Sequence, residues 1–171
     1  HKKCNFNLKF AFMKNIIKIL IIIFLILQAF QIDKVNQPVN KGMDFLEIKK
    51  TPEHIAQNIR TSCYDCHSNE TQYPWYSYIQ PLGWFLQDHI KNGRKKLNFS
   101  TFATYEPKRQ AHKLYESWEY VDQGKMPLES YLLIHTDAKL TPEHRKEMAQ
   151  YFKRMEDETR AYHQLPSEGV Q

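Results

Sequence analysis

Residues 63–67 read Cys63-Tyr64-Asp65-Cys66-His67, and the rest of the predicted fold is arranged around them. This is the only place in the sequence where two cysteines and a histidine are close together. The third cysteine, Cys4, lies on the other side of an apolar segment. Side chains at positions i and i+3 lie on one turn of a helix, so both thiols face the same way. The imidazole follows directly, and the pattern predicts three reactive groups around a single bound object.

The spacing C-x-x-C-H is typical of a c-type haem attachment site. In that chemistry each thiol adds to one vinyl group of the porphyrin, and the histidine becomes an axial ligand of the iron. We therefore predict one haem c per chain, attached through Cys63 and Cys66, with His67 as the proximal axial ligand.

The residues alone leave three other uses of the two cysteines open: a zinc site, a redox dithiol and a structural disulfide. A structural zinc site needs a second pair of Cys or His ligands, and the sequence contains no second Cys pair. A thioredoxin-like redox dithiol needs a preceding strand and a βαβ unit. A plain disulfide leaves His67 without a role. A zinc-bound or disulfide-stapled interaction domain is thus the non-haem alternative.

The charge distribution argues against a nucleic-acid partner. The formal net charge is +5, with 24 lysines and arginines. The first thirty residues contain no acidic residue but include Lys2, Lys3, Lys9, Lys14 and Lys18. The 19 basic residues that remain are matched by 19 aspartates and glutamates. Because the net basicity belongs to the amino-terminal segment, the domain lacks the basic surface that nucleic-acid binding requires.

An apolar run near the amino terminus predicts the cellular location. Residues 16–30 read IIKILIIIFLILQAF, interrupted only by Lys18 and Gln28 and preceded by Lys14. A cationic start followed by an apolar run is typical of an export signal or an N-terminal membrane anchor. Ala29 is the only small residue near the end of the run. The signal-peptidase pattern is therefore incomplete, and an uncleaved anchor is favoured.

Lysines before the run and a neutral sequence after it place the amino terminus in the cytoplasm and the domain outside. We expect an inner-membrane anchored protein with its domain on the periplasmic, outer face, or a periplasmic protein if the leader is cleaved. Met13 suits the start of such a leader. The predicted organisation is an upstream extension (1–12), an anchor or signal segment (13–32), a tether (33–50), a haem-binding domain (51–163) and a flexible tail (164–171).

The domain pattern predicts helices and no strand. Thr51-Pro52-Glu53 predicts a helix with Thr51 as N-cap, and the cysteines lie near its carboxyl end. Apolar periodicity predicts further helices from Ser77 to Gly93, from Pro107 to Gln123 and from Thr141 onward, with Gly93 as a helix stop. Trp75 and Trp84 are assigned to the core by default, and a place in the wall of the haem pocket is the alternative for either.

A second axial ligand is predicted in the loop after the third helix of the domain. Met126 stands just before Pro127 and behind the helix stop at Gly124. Pro127 holds the backbone at Met126 out of helix, so the thioether is presented by a rigid loop. Methionine beside histidine is a common ligand pair in cytochromes c. The alternatives are His89, His112 or His135, or an open sixth position.

A C-x-x-C-H near the end of the first domain helix, a Met-Pro loop and an amphipathic final helix resemble the class I cytochrome c plan. More closely, the sequence resembles the small bacterial haem-binding domain family of envelope proteins over roughly Thr51 to Phe152. The residues that carry this resemblance are TSCYDCHSNETQYPWYSYIQPLGWFLQDHIKNGRKKLNFSTFATYEPKRQAHKLYE and, later, KMPLESYLLIHTDAKLT. The resemblance implies a single covalent haem attached outside the cytoplasm, with Cys63, Cys66 and His67 in the motif positions.

The predicted fold is all-α, a small cytochrome c-like helical domain around one covalent haem, preceded by an N-terminal anchor or signal helix. The predicted function is a membrane-tethered electron carrier that serves redox partner proteins of the cell envelope, and not an enzyme. The alternative is a haem sensor or a peroxidase-like enzyme with an open distal site, for which Arg94 or Arg109 is a candidate partner of a distal base.

Overall fold

The computed structural model describes residues 2–167, with side chains from Phe12 onward. Within this range the chain forms α-helices and short 3-10 helices and no strand, so the all-α prediction is confirmed. The α-helices are α1 (Lys2–Leu27), α2 (Phe45–Ile48), α3 (Glu53–His67), α4 (Leu82–Lys96), α5 (Pro107–Asp122), α6 (Glu129–Leu132) and α7 (Pro142–Tyr162). The 3-10 helices are Lys41–Met43, Trp75–Tyr78, Phe99–Thr104 and Thr136–Ala138.

The chain divides into two compact units. The first unit joins the amino-terminal segment through Val35 with Tyr73–His89, and the second joins Asn36–Gln72 with the chain from Ile90 onward. The Cys63–His67 motif and Met126 both lie in the second unit, as does the final helix, α7. His89 is part of the first unit.

Helix α1 is apolar on all sides from Ile19 to Leu27. Its large apolar side chains from Ile16 to Ile26 are all exposed. In the described part of the chain, no helix combines the length and the apolar character needed to cross a membrane. The helix begins at Lys2, so its backbone runs through the segment read as an upstream extension. Of the tail predicted at 164–171, residues 168–171 lie outside the described range.

The core of the second unit is built mainly from aromatic side chains. Helices α5 and α7 form the most extensive helix pair. The predicted stripe on α7 is confirmed, because Met148, Tyr151, Phe152 and Met155 are all buried. Phe45, at the start of α2, lies at the centre of the cluster. Its ring centroid is 5.3 Å from that of Phe99, 5.1 Å from that of Phe102 and 5.9 Å from that of Phe152.

The position of Phe45 corrects the predicted tether over residues 33–50. Phe45 is fully buried and Leu46 nearly so. Asp44 begins the short helix α2, since its carboxylate accepts a hydrogen bond from the amide of Leu46 at 2.9 Å. The prediction of a tether is wrong for this part, because a single helical turn has no periodicity that a sequence pattern can reveal.

Helix ends were predicted with mixed success. Thr141 caps α7 by accepting a hydrogen bond from the amide of His144, and α5 begins at Pro107 as expected. The N-cap of α3 is Pro52 and not Thr51, whose hydroxyl lies 2.7 Å from the Tyr151 hydroxyl instead. Helix α4 begins at Leu82 and not near Ser77. It also continues to Lys96, so the prediction of a stop at Gly93 is wrong.

Candidate haem site

The predicted attachment residues occupy the last two turns of α3. The buried face of this helix includes Ile59 and Tyr64, and the Tyr64 hydroxyl donates to the carboxylate of Asp44 at 2.9 Å. Tyr64 stands between the two cysteines and holds this turn against the core. Cys63 and Cys66 are half-buried, and they are not joined in a disulfide. Both thiols are therefore anchored by the helix and remain available for chemistry.

The imidazole of His67 has a fixed proton position. Its Nδ1 lies 3.0 Å from the backbone carbonyl of Leu97. Because a carbonyl oxygen can only accept, Nδ1 carries the proton and the lone pair is on Nε2. Burial holds the pKa of His67 below its ordinary value, against hydrogen bonds to the backbone that raise it. The residue is thus a neutral imidazole with its lone pair on Nε2, oriented by a backbone carbonyl as metal-ligating histidines commonly are.

The two cysteines are protonated at neutral pH. Burial, followed by the neighbouring Cys66, raises the pKa of Cys63 to about 12. Burial also raises the pKa of Cys66 to about 11, with a further increase from Asp65 that the Arg94 guanidinium opposes. Catalytic dithiols instead have a lowered thiol pKa, because the thiolate is the nucleophile. The pair thus lacks the lowered thiol pKa that is typical of a catalytic dithiol.

Gly93 of α4 allows a close approach to the motif. A Cβ atom built at Gly93 would lie 2.5 Å from the carbonyl oxygen of Cys66 and 3.2 Å from its Cβ. Such distances leave no room for a side chain. The glycine therefore marks a contact between this turn of α4 and the end of α3, so its role is a close approach inside a helix that continues to Lys96.

The segment that follows Met126 returns to the motif. The Tyr131 hydroxyl on α6 donates to Asp65 Oδ2 at 2.7 Å. The Ser62 hydroxyl donates to the carbonyl of Ala138 at 2.9 Å. Burial and the Asp65 carboxylate hold the pKa of Tyr131 above its usual range, so its proton stays on the hydroxyl. Residues 131–138 are thus fastened to the same turns of α3 that carry the two cysteines.

Met126 itself is held by its backbone. Its amide donates to the carbonyl of Tyr120 at 3.1 Å. Its carbonyl accepts from the Arg145 guanidinium at 3.2 Å, and the same nitrogen donates to Val121 at 2.9 Å. The side chain is half-buried and packs against the core cluster that Cys63 also borders. The predicted rigid presentation of this methionine agrees with these contacts.

A comparison with protein-family models shows which family the chain belongs to. The model of the haem-binding domain family matches residues 22–154. The chain belongs to the haem-binding domain family. A search of curated proteins found no match, and neither did a search of solved structures. The resemblance noted from the sequence is confirmed for the family, and the match begins within α1, earlier than the predicted domain start at residue 51.

The residues at the end of α3 fit the cofactor that the haem-binding domain family implies. They provide two unpaired thiols on one turn and a neutral imidazole whose Nε2 is the unprotonated nitrogen. Within the described part of the chain, no cluster of three or more His, Cys, Asp or Glu side chains is arranged to hold a metal ion.

Each histidine proposed as an alternative axial ligand has a local contact. His89 Nδ1 lies 2.9 Å from the carbonyl of Phe85 in its own helix. His112 is exposed and lies 3.4 Å from Glu116. His135 stacks on Tyr131, with ring centroids 4.2 Å apart and planes 9° apart. His135 is linked to the motif through Tyr131, which donates to Asp65.

Sequence reasoning missed the supporting role of Arg94 in the haem-binding domain. Its Nε donates to the carbonyl of Ser68 at 2.7 Å. Its Nη2 donates to Asn36 at 2.8 Å and to Thr71 at 2.9 Å. The guanidinium thereby fixes the loop that leaves His67. Arg94 stands in a run of basic residues at the end of α4, a pattern that usually indicates a solvated face, so the sequence carried no signal for this role.

Proposed function

We propose that this chain is a c-type cytochrome-like protein that binds one haem covalently and carries electrons in the cell envelope. The observation that carries the proposal is the donor set at the end of α3, with its two unpaired thiols and its oriented, neutral His67. The thiols of Cys63 and Cys66 each add across a vinyl group, so that an S–C bond forms and the thiol proton goes to the adjacent carbon. Bound haem supplies an iron that cycles between the ferric and ferrous states.

Covalent attachment is tested with chain expressed together with a cytochrome maturation system. We expect wild-type protein to give a pyridine haemochrome spectrum typical of thioether-linked haem, and to keep its colour after extraction with acidified organic solvent. The Cys63→Ala/Cys66→Ala variant should be colourless or lose its pigment in that solvent. Cys4→Ala is the matched control and should behave as wild type. Extractable haem in the wild-type chain would overturn the proposal.

We propose Met126 as the second axial ligand. Its backbone is fixed by Tyr120 and Arg145, and the segment that follows is bonded to the motif. A thioether beside His67 would leave the iron with six ligands, so an electron is exchanged with little rearrangement. The carrier function depends on this ligand, because an open sixth position favours gas binding or peroxidase chemistry.

Optical spectra of the ferric protein test the assignment. Met126→Ala should abolish the sulfur-to-iron charge-transfer band and make the reduced protein bind carbon monoxide rapidly. Met148→Leu, which changes a buried core methionine on α7, should keep the band. A band that survives in Met126→Ala excludes this ligand, and the same spectra of His135→Ala then test the histidine alternative. Rapid carbon monoxide binding by the wild type would favour a sensor or enzyme.

We also propose that the apolar amino-terminal segment brings the domain to the outer face of the inner membrane. The exposed apolar side chains from Ile16 to Ile26 support this location, because lipid would cover them. Covalent haem attachment by a maturation system outside the cytoplasm requires the same export. The intact mass of the mature haem protein tests whether the segment is retained. A mass that lacks residues 16–30 would show that the segment is a cleaved export signal and not a retained anchor.

A further inference from the structure

The first unit exposes a group of aromatic side chains that the haem site does not use. Phe30 is 62% exposed, Trp75 70%, Tyr78 59%, Phe85 57% and Trp84 37%. The assignment of Trp75 and Trp84 to the core is therefore wrong. Single apolar side chains on a surface are ordinary, but a cluster of large ones marks an interaction site. We call these five residues the aromatic collar.

Hydrogen bonds connect the collar to the carboxyl end of α1. The Gln28 side chain donates to the carbonyl of Gln80 at 3.1 Å and accepts from its amide at 2.9 Å. The Gln31 side chain donates to the carbonyl of Tyr78 at 3.2 Å. The Trp84 indole N–H donates to the carbonyl of Phe30 at 2.8 Å. These bonds fix Phe30, Tyr78 and Trp84 of the collar beside the end of the apolar helix.

The composition of the collar is typical of the interface between a membrane and water. Tryptophan and tyrosine are amphipathic and are enriched where a membrane meets water. The collar borders a helix that is apolar on every side from Ile19 to Ile26. Lys34 lies with its Nζ 3.9 Å from the centre of the Tyr78 ring. A lysine at this level can reach headgroup phosphates while its stem stays on apolar surface.

We propose that the aromatic collar lies in the headgroup layer of a phospholipid bilayer, at the level where α1 leaves the apolar layer. The inference rests on the membrane association proposed above. It requires that α1 meets lipid, and it does not require that the helix crosses the bilayer. The collar would then fix the depth of the first unit in the headgroup layer, in addition to any attachment that α1 provides.

The three tryptophans of the chain provide the probe. Full-length haem protein labelled with 5-fluorotryptophan is placed in lipid nanodiscs of phosphatidylcholine and phosphatidylglycerol. A lipid with a gadolinium chelate on its headgroup is then added, and the fluorine relaxation that it causes is measured. Trp118 is the internal comparison, because it packs against the core of the second unit. We expect the added relaxation at Trp75 and Trp84 to be several-fold larger than at Trp118.

A pair of variants provides the matched control. Trp75→Ser/Phe85→Ser removes collar surface, and Leu133→Ser/Ile134→Ser removes a similar exposed apolar surface from the second unit. In the collar variant the relaxation at Trp84 should fall several-fold, while the control variant should match wild type. If the added relaxation is equal at all three tryptophans of nanodisc-bound protein, the collar does not lie in the headgroup layer. The membrane association proposed above would then still hold. Wild-type chain that does not enter nanodiscs at all overturns both.

Discussion

A tyrosine hydroxyl ties the segment after Met126 to the turn that carries the two cysteines. Because Tyr131 donates to a carboxylate at 2.7 Å, removal of its hydroxyl by Tyr131→Phe should lower the free energy of unfolding by about 1–2 kcal/mol. The loss follows because Asp65 is left without this donor in a partly buried site. Denaturant unfolding of the mature haem protein measures it. Tyr162→Phe, at a hydroxyl-bearing ring that is 83% exposed, should change stability little, and equal effects of the two substitutions would contradict the assignment.

A second residue, Asp44, makes the free energy of unfolding depend on pH, and the direction of its pKa shift gives the sign of that dependence. Burial raises the pKa of Asp44, and the hydrogen bonds from Tyr64 and Leu46 only partly oppose this. The folded state therefore binds the proton more readily than the unfolded state, and acid favours folding at this position. The stability contributed by Asp44 increases as the pH falls through its raised folded pKa, and it is complete below the unfolded pKa.

Comparison with Asp44→Asn isolates this effect, since the other carboxyl groups are shared and cancel in the difference. We expect the free energy of unfolding of the wild type, relative to the variant, to increase as the pH is lowered from 7 to about 4, near the ordinary pKa of aspartate. Unfolding curves at several pH values provide the measurement. A relative stability that decreases on acidification would mean that the hydrogen bonds outweigh burial.

At the scale of elements, the contact between Gly93 of α4 and the end of α3 sets the space available for a side chain. Gly93→Ala would place a Cβ 2.5 Å from the Cys66 carbonyl, so the helices must move apart. The expected loss is about 1–3 kcal/mol, typical of overpacking, although alanine is the better helix former. Unfolding of the haem protein and the yield of attached haem measure it. Gly42→Ala, whose nearest neighbour is a side-chain oxygen at 3.4 Å, is the control and should be nearly neutral.

These helices also show which features of the fold could be predicted from the sequence and which could not. The motif at the end of a helix, the start of α5 at Pro107 and the capped start of α7 follow from local patterns, which act within a few residues. The role of Gly93 could not be predicted, because a glycine serves a close approach as well as a helix stop, and the residue it approaches, Cys66, is distant in sequence. Thr51 is bonded to Tyr151, a partner that no local pattern reveals.

At the scale of the whole chain, the second unit has a core that does not depend on the cysteines. Phe45 contacts aromatic rings from the 3-10 helix Phe99–Thr104 and from α7, and Cys63 only borders this cluster. His67 reaches it through Phe99, with ring centroids 6.4 Å apart. The aromatic core thus supports the candidate haem site from behind.

The Cys63→Ala/Cys66→Ala variant should therefore stay folded without covalent haem. We expect its far-ultraviolet circular dichroism to retain a helical spectrum and its thermal unfolding to be cooperative. The midpoint should be lower than in the haem protein, because the covalently held haem adds apolar contacts and iron ligation that form only in the folded state. Phe45→Ala in the haem protein is the contrasting variant, and the cavity it leaves should cost about 3–5 kcal/mol. A disordered spectrum for the cysteine variant would show instead that the core forms only around the cofactor, and the helices would then owe their packing to haem attachment.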